Sequence, residues 1–223
     1  MFKEIKNKYW HAIMVIYFLI YMPWFSWLNV FTSTRPDAVE MYCKLDDMIP
    51  FNEWFVIPYF LWFLYIAAGY IFLFFNNRSD FLRMCTFLYV GMTTCLIIYM
   101  IFPNYQDLRV DYETLGRSNI LTEAIRLLQL GDSNYDVFPS IHCLNSIGMN
   151  IALAKNKWCR KRPWIIALVT LLSISICLST VFVKQHSVLD MFGAIGLSVP
   201  LYLISYVIPW RKIFKRRTKK ECA

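Results

Sequence analysis

Six stretches of the chain contain no Asp, Glu, Lys or Arg: residues 9–34, 54–77, 84–106, 137–154, 163–183 and 191–210. Each is 18 to 26 residues long, which matches the roughly 20 apolar residues a helix needs to cross a hydrocarbon core. The pattern predicts an all-α polytopic membrane protein, with six transmembrane helices in one bundle and residues 1–223 forming a single six-span domain. A weaker signal lies between spans three and four. In residues 117–132, Ile120, Leu121, Ala124, Ile125, Leu128 and other apolar positions recur at helical spacing before Gly131. That predicts an amphipathic helix lying at the membrane interface. The first apolar run is too long for the core of a cleaved signal, and no small-residue cleavage site follows it, so it is expected to stay as a span.

Composition narrows the class. The chain is 58% hydrophobic and 17% charged, too apolar for a soluble enzyme with an anchor, a secreted disulfide scaffold or a nucleic-acid module. Its seven Cys include no CxxC pair and there are only three His, so neither a metal cage nor a disulfide framework is expected, and the cysteines read as small apolar packing residues. The net charge of +8 sorts by connection. Of the 23 basic residues, 17 fall at the termini and in the connections after spans two and four, while 12 of the 15 acids fall on the other side. Basic loops stay on the cytoplasmic side, so both termini are expected there. The C-terminal RKIFKRRTKK reads as a topology anchor against anionic lipid, with no nucleic-acid partner.

The outer connections hold the chemistry. The one following span three, residues 107–136, is long and polar, and two of the three His sit at outer helix ends. In VFPSIHCLNS, Pro139 and Ser140 read as a helix start with His142 in its first turn, where unpaired N–H groups and the helix dipole favour an anion. In VKQHSVLD, His186 and Asp190 are four residues apart and share a helical face. A carboxylate there takes one imidazole N–H and leaves the other nitrogen as a nucleophile. Arg109 and Lys184 lie on the same side. Two imidazoles, an orienting carboxylate and fixed cations form a phosphoryl-transfer constellation. His11 has no such partners and reads as an interfacial residue.

On these residues the chain resembles the type 2 phosphatidic acid phosphatase superfamily of integral membrane lipid phosphatases. PSIH at 139–142 is similar to that family's PSGH segment, and His186 with Asp190 keeps its HxxxD spacing, 44 residues after His142. Two motifs depart. Arg109 is followed by Val110 where the family has Pro, and Phe102 stands seven residues earlier in place of Lys; Ser179 and Thr180 replace a Ser-Arg pair. The combination is similar to the branch that includes inositol phosphorylceramide synthases.

The resemblance implies metal-independent chemistry without a cofactor at the outer membrane face. His186 is the implied nucleophile, Asp190 its orienting group and His142 the acid and base. Arg109, Lys184 and Ser140 are the implied phosphate holders, with Lys184 standing in for the missing arginine. The implied substrate is a lipid phosphate or diphosphate, such as polyprenyl diphosphate, phosphatidylglycerol phosphate or phosphatidic acid in a bacterium, and the partners are membrane lipids. Water as acceptor makes a phosphatase; an alcohol makes a head-group phosphotransferase. A transporter or flippase is the reading from another class, opposed by apolar runs that carry no ionisable residue in mid-membrane.

Overall fold

The structure, a computed structural model, describes residues 10–208. Helix α1 (Tyr17–Ser33) continues a 3-10 turn at Trp10–Ile16; α2 (Lys44–Met48) lies in the first outer connection; α3 (Val56–Asn76) and α4 (Arg78–Ile101) follow. Next come α5 (Ile120–Gly131), α6 (Ile141–Lys155), the single turn α7 (Lys157–Arg160), α8 (Pro163–Phe182) and α9 (Val188–Tyr202), which ends in a π turn at Leu203–Val207. Side chains cap the polar ends: Asn77 accepts from the Ser79 and Asp80 N–H groups, and Asn119 from those of Leu121 and Thr122.

Five helical segments among the described residues are long and apolar enough to cross a membrane: His11–Ser33, Glu53–Asn76, Arg78–Ile101, Pro163–Phe182 and Val188–Val207. The expected fourth span, residues 137–154, instead yields the 15-residue α6. Pro139 and the Ser140 cap delay its start to Ile141, and Asn156, which caps α7, ends it. At 1.5 Å per residue such a helix reaches about 22 Å, short of a hydrocarbon core of roughly 30 Å. Burial compensates for its length: α6 packs against α3, α4, α8 and α9. Gly148 lies against Phe87 and Leu88, and Gly69 of α3 against Met149, too closely for a Cβ at either position. The other helices turn residues such as Leu19, Phe75 and Leu171 outward.

The amphipathic segment forms α5. It buries Thr122, Ile125 and Gln129, three and four residues apart, with Ile125 packed against Val56, Tyr59 and Val183, and exposes Ile120, Leu127 and Leu130. A two-residue parallel pair, Val39–Glu40 with Asn104–Tyr105, and a bridge from Tyr105 to Tyr135 tie the connections together. The basic C-terminal run, Lys3, Lys6, Lys8 and Cys222 lie outside the described residues.

Candidate active site

The turn between α8 and α9 carries the first imidazole. Its backbone is fixed by the Thr180 carbonyl, which accepts from the N–H groups of Gln185 and His186, each at 3.0 Å. Gln106 and Gln129 donate to the carbonyls of Lys184 and Val183 from two other segments. Asp46 of α2, fully buried, accepts from Ser187 Oγ at 2.7 Å and from the Val188 N–H at 2.8 Å, and so anchors the start of α9. On that base His186 Nδ1 sits 3.1 Å from Asp190 Oδ2, which also accepts from the Ser187 N–H at 2.9 Å. A carboxylate at Nδ1 sets the tautomer with Nε2 bare. Burial by itself depresses the His186 pKa, but the hydrogen bond and charge of Asp190 outweigh it and hold the imidazole above its usual value.

His142 stands in the first turn of α6, and its ring centroid is 5.8 Å from that of His186. Tyr59 and Trp62 of α3 flank it, at 5.0 and 4.5 Å between ring centroids. The turn before α6 is held by Tyr99, whose hydroxyl donates to the Pro139 carbonyl at 2.7 Å, and by Asn104, whose Oδ1 accepts from the Val137 and Phe138 N–H groups. Both histidines line a cavity of about 450 Å³ walled by α1, α3 and the 127–137 segment.

Asp190 therefore lies beside His186 as their spacing suggests, and the second histidine faces the same cavity, while the three expected phosphate holders are engaged elsewhere. The Lys184 ammonium donates to the Asp46 and Ile49 carbonyls at 2.7 and 2.6 Å and does not line the cavity. Arg109 donates to the carbonyls of Gln129 and Asp132 at 2.8 and 2.9 Å, bracing the end of α5. Burial lowers its pKa, and the Asp132 charge opposes that. The Ser140 N–H donates to the Asp190 carbonyl at 3.1 Å, and its Oγ accepts from the Cys143 N–H as the α6 cap. The Ser140–Asp190 bond joins α6, which carries His142, directly to α9, whose Asp190 holds His186. His11 is buried beside Phe74 and Phe81 and belongs to the packing of α1.

Sequence reasoning missed Asp132, Asp136 and Gln185, which line the cavity beside the histidines. Burial raises the Asp132 pKa against the opposing charges of His186 and Arg109. Asp136 adopts a positive φ of 59° and is pushed up to about 6 by burial, opposed by the Thr32 hydroxyl. Gln185 adjoins His186 in sequence and Asp136 precedes the VFPS segment by one residue, which was the available signal. Asp46 had none, being 140 residues before His186. No family model matches the chain, and neither a curated protein nor a solved structure does.

Proposed function

We propose that the chain is an integral membrane lipid phosphate or diphosphate phosphatase that works through a phosphohistidine at the outer membrane face. The observation that carries the reading is the His186–Asp190 pair at 3.1 Å with Nε2 unpaired, opposite a second imidazole on the same cavity. His186 Nε2 attacks phosphorus, the P–O bond to the lipid breaks, and the departing oxygen takes a proton from His142. Water then attacks, giving its proton to His142 as the P–N bond breaks and inorganic phosphate leaves. Charge on the nonbridging oxygens is met by the Ile141 and His142 N–H groups at the start of α6, the Cys143 N–H being taken by the Ser140 cap. Arg109 adds a positive field through the Asp132 segment that it braces, and Lys184 and Ser140 hold the two helix starts in place.

In this reading α6 is the fourth of six spans, buried inside the bundle, and α5 lies at the interface with Ile120, Leu127 and Leu130 toward lipid. The charge asymmetry of the loops puts both termini in the cytoplasm and the cavity outside. Phe25 of α1 and Trp62 of α3 wall the cavity, while the same two helices meet nearer the other end at Phe18 and Tyr70, 6.2 Å between ring centroids. An acyl chain enters through that cleft.

Transfer of the head group to an alcohol is a second reading, favoured because no Lys or Arg among the described residues lines the cavity to hold a free phosphate dianion. Purified protein assayed against a panel of lipid phosphates, with and without an alcohol acceptor, separates the two. Release of inorganic phosphate supports the phosphatase, phosphorus appearing on the alcohol supports the transferase, and neither product returns the chain to the transporter class.

A further inference from the structure

A cavity built only for phosphate would present cations, yet the charged side chains lining this one, apart from its imidazoles, are Asp132 and Asp136. Their polar atoms are incompletely met. Asp136 is 5% exposed; its Oδ1 accepts from the Thr32 hydroxyl at 2.8 Å, whereas its Oδ2 is buried with no partner. Gln185 is 4% exposed; its Nε2 donates to Asp132 Oδ2 at 3.4 Å, and its Oε1 is likewise buried and unpartnered. Buried polar atoms are as a rule hydrogen-bonded, so each exception needs a reason. Both exceptions are acceptors, which calls for a ligand with N–H or O–H donors. The carboxylates beside them select a positive charge among such donors.

A primary ammonium meets these requirements together, with three donors and one charge. A quaternary ammonium brings charge without donors, and a neutral polyol brings donors without charge. A metal ion fits less well, since among the described residues no three His, Cys, Asp or Glu side chains converge. We propose that the cavity is a subsite for a primary ammonium carried by the same amphiphile as the phosphate, with Asp136 Oδ2 and Gln185 Oε1 accepting its N–H groups. The proposal rests on the phosphohistidine reading above. The ammonium has two sources. In an aminoalkyl phosphodiester head group, the P–O bond to the lipid alcohol breaks, the alcohol takes its proton from His142, and His186 keeps the aminoalkyl phosphate. In a long-chain amine phosphate, the amino alcohol leaves and His186 keeps the phosphoryl group.

The test uses the full chain in detergent with phosphatidylethanolamine and sphinganine 1-phosphate, the N-acetyl and N-trimethyl counterparts of each, and phosphatidic acid. In one of the two series, kcat/KM for the primary amine should exceed that for both blocked forms by roughly tenfold or more, since buried acceptors that lose their donor penalise the analogue. The series that shows it identifies the source. Asp136→Asn and Gln185→Leu should each shrink that ratio toward one, with thermal melting reporting that the variants are folded. Equal kcat/KM for amine and blocked forms in both series would overturn the proposal, as would an unchanged ratio in both folded variants or a preference that appears only with added divalent metal. Turnover of phosphatidic acid that survives in His186→Ala would instead remove the phosphohistidine reading itself.

Discussion

In the proposed mechanism His186 has to be neutral to attack phosphorus; burial depresses its pKa, but Asp190 outweighs that and holds it above the ordinary imidazole value. The nucleophilic form therefore accumulates as pH rises through a value above 6.5, the usual one, and the acid limb of kcat/KM should lie above that value. Asp190→Asn should move the limb to lower pH and reduce kcat by about 100-fold or more, because it removes the charge that steadies the developing imidazolium. A pH–rate profile of the two proteins checks both. Asp136 works in the other direction, on stability. Its folded-state pKa of about 6 exceeds its ordinary 3.8, so its contribution is fully present below the ordinary value and is lost as pH rises through about 6. Asp136→Asn should flatten the fall in melting temperature across that window, and parallel curves for the two proteins would contradict it.

Among the elements, the short α2 has an effect beyond its five residues, because Asp46 holds the start of α9 through Ser187 and Val188. Asp46→Ala leaves those donors without their acceptor and should destabilise the protein by about 3 kcal/mol, visible as a lower melting temperature. The helix periodicities and the α6 start could be read from the sequence because they are local: caps, spacing and runs lie within one or two turns. The His186–Asp190 pairing could be read from its spacing but not as a shared helical face, since His186 stands ahead of the Ser187 cap and Asp190, in the first turn of α9, reaches back to it. What could not be read depends on which connection folds over which. Lys184 beside His186 looked like a phosphate ligand, yet the fold takes its ammonium to the carbonyls of α2, and Arg109 is drawn to those of α5. The length of α6 was also misjudged, since freedom from charge marks a buried inner helix as well as a lipid-facing one.

At the scale of the molecule, the proposed reaction at the outer face requires the cavity to face away from the cytoplasm. A cysteine at Glu113 should react with a membrane-impermeant thiol reagent in intact cells, and one at Lys161 should not, both positions being exposed; the reverse pattern would invert the topology. Turnover should also persist in excess EDTA, because the proposed charge stabilisation comes from the α6 N-terminus and Arg109. The central claim is that phosphorus passes through His186. The direct measurement is to quench the purified protein during turnover of a radiolabelled lipid phosphate and to map the label by peptide analysis under alkaline conditions. An acid-labile, alkali-stable phosphoryl group should appear on the peptide containing His186 and be absent in His186→Ala. A label on His142, or steady turnover with no label in the wild type at any quench time, would contradict it.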